Sequence, residues 1–381
     1  VTAPFATFLK ADSGWDRWRN WVRGVEFPVD EVHGDRLRLA DGPGEEGWVE
    51  TDAVRVSFPQ SESVPVRLPQ PAIEHDERRL TLTFKGVTAA TPCVFHDEPD
   101  SELSRLRVTL PGEVRVKDFN RKLGHLSPFL SVSAIPADGD RPVQLKVVYR
   151  GSLWGFGQHW DEASRTMTIE MTLWPKVVPV NVEQPLEGLR IMVDAGHGGS
   201  DRGAIGPSGL TEADVNLVQA AWLGKYLTEM GAEVRQTRRD NHYVSLDDRV
   251  TDALDWRPDL FVSLHHNSVG MASVPAIRED AGVYYHYPQS ESLARFVATK
   301  LAPVVTPNRP DALTYVRNFR VNRNISICPS ILTESAFMCH PAQDWFLRQD
   351  ENLKKTAWAI AKGIESCLEA GPPSIVDAGK R

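Results

Sequence analysis

Asp194-Ala195-Gly196-His197-Gly198-Gly199 follows the apolar stretch Leu189-Arg190-Ile191-Met192-Val193, so an imidazole stands where a buried strand opens into a glycine-rich loop. Ligands gather at the carboxyl ends of strands in open parallel sheets, and glycine lets backbone approach whatever the imidazole holds. Two further segments carry matching chemistry. Glu212 opens a helix after Thr211, and His265 ends the apolar run Phe261-Val262-Ser263-Leu264. All three side chains can then share one rim of a sheet. Two neutral imidazoles and one carboxylate suit a catalytic zinc, which takes three protein ligands and keeps a fourth position for water. The net positive site acidifies that water toward neutrality. His197, Glu212 and His265 are therefore the expected Zn2+ ligands. Singly, each is a packing imidazole or a carboxylate answering a helix dipole; their combination with the glycine loop carries the reading.

Glu334 ends a second buried run, Ile331-Leu332-Thr333. A carboxylate emerging there beside the metal can take a proton from water and return it to a leaving amine, which makes Glu334 the expected catalytic acid/base. His266 neighbours His265 and points to the opposite face if the strand continues, so only His265 is chosen as a ligand. Asp194 and Asn267 are candidates for orienting the ligands from behind. Arg249 either braces the polar loop by ion pairing or lies on a solvated helix face, the second being the more ordinary role.

The elements that must position these residues separate by texture. From residue 189, strands alternate with helices, the pattern of a doubly wound α/β layer. Strands are expected at Glu233–Thr237, Leu260–Leu264, Gly282–Tyr287 and Ser330–Thr333. Helices are expected from Thr211 to Met230 and at Leu246–Trp256, Glu291–Leu301 and Gln343–Leu368. In the first helix Thr211 serves as N-cap with Asp214 three residues on, Val215, Val218, Trp222 and Leu223 form a broad apolar face, and Gly231 ends it. Residues 72–174 hold period-2 alternation, as in Arg79-Leu80-Thr81-Leu82-Thr83-Phe84 and Gln144-Leu145-Lys146-Val147-Val148-Tyr149, and predict an antiparallel β domain of sandwich type. Residues 1–58 alternate as well, and Gly47-Trp48-Val49 with Val54 resembles the closing strands of a bacterial SH3-like barrel. Pro-punctuated linkers are expected at 59–71 and 175–188. The predicted fold is thus an α/β catalytic domain over 187–370, doubly wound, with a mostly parallel sheet and helices on both faces, preceded by two small all-β domains at 1–58 and 72–174.

A chain of 381 residues with 41% hydrophobic and 25% charged residues has the profile of a soluble globular protein. The net charge of −8 and the absence of a dense basic patch argue against nucleic acid as a partner. No apolar run approaches the ~20 residues of a membrane span. No signal peptide is visible, and Val1 in place of Met is compatible with a processed precursor. Cys93, Cys328, Cys339 and Cys367 show no zinc-ligand spacing; buried thiols and a disulfide from Cys328 or Cys339 to Cys367 both stay open.

Residues 189–368 resemble the catalytic domain of the zinc-dependent N-acetylmuramoyl-L-alanine amidases of the type 3 class. The resemblance rests on the Asp-x-Gly-His-Gly-Gly block with Asp201 and Gly203-Ala204 beyond it, on Glu212, on Ser263-x-His265-x-Asn267, and on Ile331-Leu332-Thr333-Glu334 continuing to Phe337. Thr237-Arg238, Ser245-Leu246 and Arg249 also fit. The resemblance implies zinc on His197, Glu212 and His265, Glu334 as the essential acid/base, and cleavage of the peptidoglycan amide between the lactyl group of N-acetylmuramic acid and L-alanine. It also implies an extracytoplasmic location, in the periplasm or cell wall, and a wall-targeting role for 72–174. A monomer is expected, and any activator protein stays unidentified. Ala195, His266, Ser335-Ala336 and His340 depart from the family's usual residues without removing a ligand. The stretch between His265 and Glu334 has no obvious extra amphipathic segment, so a site free of self-blocking is expected. The rival readings are a zinc peptidase acting within the stem and a non-catalytic wall-binding protein.

Overall fold

The structure is a computed structural model. It describes residues 67–372 except 88–92, 101, 111–113, 117–118, 125, 136–142, 176–182, 270–280 and 309–310, and before residue 67 only the backbone of its strands. The chain divides into two compact units, with the chain boundary between Trp174 and Pro175.

In the first unit, β1 (Phe5–Phe8), β2 (Glu26–His33), β3 (Arg36–Leu39), β4 (Trp48–Glu50) and β5 (Val54–Ser57) form one sheet in the order β4-β3-β2-β1-β5. The side chains that carry the SH3-like resemblance lie outside the described residues. Then come β6 (Val66–Leu68), β7 (Ala72–His75), β8 (Arg79–Lys85), β9 (Val94–Glu98), β10 (Ser104–Leu110), β11 (Val114–Val116), β12 (Asn120–Lys122), β13 (Phe129–Ile135), β14 (Val143–Tyr149), β15 (Leu153–Asp161) and β16 (Thr166–Leu173). Most of them make two antiparallel sheets, β12-β13-β14-β10-β9 and β15-β16-β8-β7. Alternation is strict in β10 and β14, where every second residue is buried, because successive side chains of a strand face opposite ways. Leu80, Leu82, Ile169 and Met171 from one sheet and Leu106, Val108 and Val147 from the other line one small internal void, so the two sheets share a core. One expectation needs correcting. Segment 59–71 is not all linker, since β6 pairs in parallel with β11.

The second unit holds β17 (Arg190–Ala195), α1 (Glu212–Glu229), β18 (Glu233–Gln236), α2 (Leu246–Trp256), β19 (Leu260–Asn267), β20 (Gly282–Tyr285), α3 (Glu291–Val305), β21 (Leu313–Val316), α4 (Arg320–Asn324), β22 (Ser330–Phe337), α5 (Pro341–Leu347) and α6 (Asp350–Ala370). One six-stranded sheet runs β18-β17-β19-β22-β20-β21. Ile191, Met192 and Val193 and then Leu260, Phe261 and Val262 are fully buried, as runs covered on both faces must be. Met192, Phe261 and Leu332 pack with Val250 and Ala253 of α2 and Val321 of α4 on one face. Helices α1 and α3 also pack on the strands, and α6 packs against both of them. The sheet is mixed rather than wholly parallel, because β20 runs antiparallel to β22. Gly282 lies opposite Glu334, so β20 starts at the rim where β19 ends and returns down the sheet without crossing it.

Local chemistry explains the helix ends. Thr211 Oγ1 accepts from Asp214 N at 3.3 Å and donates to Asp214 Oδ2 at 2.5 Å, which caps α1 reciprocally. Gly231, at φ +97°, ends it. The inner face of α1 is Val215, Ala220, Leu223 and Leu227, whereas Val218 is exposed and Trp222 half-buried, contrary to the expected apolar face. The single helix expected over Gln343–Leu368 is two, α5 and α6. Pro341 starts the first behind the His340 cap, and Asp350 and Glu351 start the second. All four cysteines are free thiols.

Candidate metal centre

The rim formed by the carboxyl ends of β17, β19 and β22 gathers the residues singled out above. His197 follows β17, Glu212 is the first residue of α1, and His265 lies in the last turn of the pleat of β19. One donor atom from each lies within 4.8 Å of the other two. Glu212 Oε1 is 3.1 Å from His197 Nε2 and 3.0 Å from His265 Nδ1. Donors about 2 Å from a tetrahedral ion lie roughly 3.3 Å apart, so this spacing fits a zinc-sized cation with little rearrangement. The rings stand edge to face with centroids 4.8 Å apart. Glu212 Oε2 accepts from Ala204 N at 2.9 Å, which fixes the carboxylate and leaves Oε1 facing the imidazoles.

The glycines leave room that no other residue would. A Cβ on Gly196 would lie 2.2 Å from the His265 ring, and one on Gly203 2.6 Å from both Glu212 Oε2 and His197 Cδ2. His197 itself adopts φ +59°, a conformation uncommon for a residue with a side chain. The turn is locked, because Gly198 N donates to Asp201 O at 2.8 Å and Asp201 N returns to Gly198 O at 3.0 Å. The Asp201 carboxylate holds His197 Nδ1 at 2.8 Å. That contact keeps a proton on Nδ1 and turns Nε2 toward Glu212, so that Nε2 is the nitrogen left for a cation.

Charge is concentrated here. Burial works against the ionised form of Glu212, yet hydrogen bonds and charge from the two imidazoles hold its carboxyl well below the usual range. Burial likewise disfavours the His197 imidazolium, but Glu212 and Asp201 together push its pKa up to about 9. The cluster thus attracts positive charge at neutral pH. Glu334 faces His265 across the β19–β22 ladder. Burial first and the Glu212 charge second raise its carboxyl well above the ordinary value, against a smaller pull from His197. Its Oε2 is buried without a hydrogen-bond partner. An orphaned carboxylate oxygen beside a His-Glu-His cluster fits a site built around a cation and its water.

The profile of the N-acetylmuramoyl-L-alanine amidase family matches residues 191–366. Among curated proteins, the uncharacterized protein YqiI of Bacillus subtilis is 35% identical over 186 residues, covering 48% of this chain and 86% of YqiI. The chain belongs to the N-acetylmuramoyl-L-alanine amidase family. The amidase LytC of Bacillus subtilis is 33% identical, over 49% of this chain and 36% of LytC. The probable cell wall amidase LytH of Staphylococcus epidermidis is 30% identical, over 48% of this chain and 59% of LytH. The chain therefore spans about a third of the length of LytC and a little under two thirds of that of LytH. Among solved structures, the amidase AmiC2 of Nostoc punctiforme is 32% identical, covering 48% of this chain and 97% of its own, with a TM-score of 0.44.

Behind the amidase rim lies a polar layer only partly visible in the sequence. Arg249 is buried, not solvated. Its guanidinium donates to the Asp194 carboxylate, to Ala195 O at 2.7 Å and to His197 O at 2.7 Å. Asp194 also accepts from Thr237 Oγ1 and Ser263 Oγ, each at 2.6 Å. Burial would raise the Asp194 carboxyl, but Arg249 and these hydroxyls hold it below the usual range. Asp194 therefore orients the loop through Arg249 and touches neither imidazole. Asn267 Oδ1 accepts from Ser268 N at 2.8 Å. Arg238 belongs to the same layer. It is 1% exposed and donates to Ala195 O, Gly196 O and Ala213 O at 2.8–2.9 Å. Its sequence signals are an arginine directly after a strand end and the fit of Thr237-Arg238 to the family resemblance. His266 turns away from the cluster, with Nε2 3.0 Å from Gln219 Oε1. Burial, partly opposed by Glu212, keeps its pKa low at about 4, so the ring is neutral.

Proposed function

We propose that this chain hydrolyses the amide between the lactyl group of N-acetylmuramic acid and the L-alanine of the stem peptide. Zinc would be held by His197 Nε2, His265 Nδ1 and Glu212 Oε1, with Glu334 as the proton-transfer group. The observation that carries this reading is the convergence of His197, Glu212 and His265 beside the orphaned Glu334 carboxylate, in a chain of the amidase family. When bound, the cation would supply Lewis acidity to a water and to the scissile carbonyl oxygen. Asp201 keeps the His197 tautomer fixed through Nδ1. With the positive charge of a bound cation beside it, the Glu334 carboxyl would be ionised, and Oε2 would take the proton released as the water attacks; its burial then suits it to hold that proton. The same oxygen then delivers the proton to the departing L-alanyl nitrogen, and the C–N bond breaks.

The family and its wall-amidase members support an extracytoplasmic site of action. Under this reading 187–370 is the catalytic domain, 72–174 is a sandwich-like domain that directs it to the wall, and 1–58 is an SH3-like β domain. No helix among the described residues is long and apolar enough to cross a membrane. Digestion of purified muropeptides, with and without chelator and read by mass spectrometry, tests the proposal. Intact stem peptide with a free L-alanine amine is the expected product, formed only with metal. Cuts inside the stem would assign a peptidase instead.

A further inference from the structure

Helix α1 carries a buried polar row. Glu212, Asn216 and Gln219 stand four and three residues apart and so share one face of the helix, with Glu212 4% exposed and the other two fully buried. Polar groups in such a place cost free energy unless they are hydrogen-bonded. Each of these reaches a different part of the rim. Glu212 Oε1 meets both imidazoles. Asn216 Nδ2 donates to Gly196 O at 3.2 Å, just before His197. Gln219 reaches two strands at once. Its Oε1 lies 3.0 Å from His266 Nε2, and its Nε2 donates to Ser335 Oγ at 3.4 Å. An amide oxygen only accepts, so the neutral His266 ring holds its proton on Nε2.

His266 and Ser335 directly follow His265 and Glu334. In the β19–β22 ladder His265 pairs with Glu334 and Asn267 pairs with Phe337, so Ser335 and Ala336 together oppose His266 alone. That is a β-bulge, which bends its strand and re-aims the side chains beside it. Gln219 grips the bulge from both sides, holding the single residue of β19 and the first extra residue of β22. His266 is held a second time, since its backbone N donates to Glu212 Oε1 at 3.1 Å. Ser335 Oγ also lies 3.4 Å from Thr333 Oγ1, on the other side of Glu334 in the chain. Resting on the amidase reading for the task of Glu334 and on the bulge for its direction, we infer that Gln219 is a positioning residue. Through the bulge it sets the line along which the Glu334 carboxylate enters the His-Glu-His cluster, while itself contacting none of the three metal donors.

The test compares Gln219→Met, which keeps the side-chain length and loses both hydrogen bonds, with Ser335→Ala, which removes only the β22 end of the bridge. Both are made in the full chain. Without metal, amide hydrogen exchange over residues 334–336 is expected to quicken at least about fivefold in each variant, while exchange over Ile191–Val193 changes less than about twofold. Zinc affinity in a chelator titration is expected to stay within about threefold, because no donor atom is removed. On a soluble muropeptide, kcat is expected to fall at least about tenfold with KM held within about twofold, as displacement of a proton-transfer group from its working position does. The double variant is expected to lose no more than about twofold beyond Gln219→Met, since both changes break one bridge. Exchange that quickens equally over Ile191–Val193 would make Gln219 a general packing residue and overturn the assignment, as would losses that multiply in the double variant. Ser335→Ala carries the same readings if Gln219→Met does not fold. A wild-type chain that cleaves no muropeptide defeats the amidase reading, whereas wild-type turnover with unaltered kcat in both variants defeats the positioning role alone.

Discussion

The Arg249 guanidinium joins the Asp194 carboxylate to the main-chain carbonyl of His197, both groups being buried. A charge pair at the end of β17 thereby sets the direction of the loop that presents the first imidazole. Removing one member strands the other in a low-dielectric site, which costs roughly 3–5 kcal/mol. Arg249→Met is therefore expected to lower stability by about that amount in urea unfolding. Arg249→Met with Asp194→Asn is expected to recover part of it, since no charge is then left unpaired. A cost below about 1 kcal/mol for the single variant would show that the pair does not hold the loop.

Asp201 acts one step nearer the cation. Its carboxylate fixes the His197 tautomer, and loss of such an orienting carboxylate typically lowers metal affinity about 10- to 100-fold. Asp201→Ala is expected to fold normally and to lose zinc at correspondingly lower chelator concentration in a competition titration. Because Asp201 is about half exposed, unfolding free energy without metal is expected to change little. Unaltered zinc affinity would place the tautomer under other control.

How much of this was legible follows from the range over which each signal acts. His197, Glu212, His265 and Glu334 could be picked out because each sits at the end of an apolar run, and a strand or helix end fixes position on the rim within a residue or two. Arg249 and Arg238 were harder. An arginine beside Asp247, Asp248 and Asp252 on α2 reads as a solvated face, and only the tertiary approach of Asp194 and the 195–197 carbonyls turns it inward. Apolar spacing continues through Arg348 and Gln349, so periodicity merges α5 with α6; Pro341 and the acidic pair Asp350-Glu351 mark two separate starts. The antiparallel entry of β20 depends on where β19 ends, which a local pattern does not encode.

Gly196 offers a steric test without backbone strain, because its φ is not positive, unlike those of Gly198, Gly199 and Gly203. Gly196→Ala puts a methyl group 2.2 Å from the His265 ring. The ring must move, since overlap of that kind with a packed side chain costs about 1–3 kcal/mol if nothing yields. The variant is expected to lose zinc binding while keeping its far-ultraviolet dichroism. Gly209→Ala, where a Cβ meets open space, is expected to keep zinc despite the strain of its positive φ. Retention of full zinc affinity by Gly196→Ala would mean that His265 is free to bind from another rotamer.

Glu334 links catalysis to stability through its proton. Its carboxyl is raised in the folded chain by burial and by Glu212, whereas in the unfolded chain it titrates near the ordinary 4.5. Below pH 4.5 both states hold the proton and the group is neutral in its effect. Above it, the folded chain keeps a proton that the unfolded chain has released, so stability falls with rising pH by up to about 1.4 kcal/mol per unit until the folded group ionises. Glu334→Gln has no such proton to lose. In chelator, it is expected to match the wild type in melting temperature near pH 4 and to exceed it increasingly toward pH 8. Zinc binding is expected to survive, because Glu334 is not among the three donors, while muropeptide turnover is expected to fall by about 10²- to 10⁴-fold, the range for loss of a positioned acid/base. A melting-temperature difference that is flat with pH would show that Glu334 is ionised in the folded chain, and loss of zinc along with turnover would make it a ligand instead of the proton carrier.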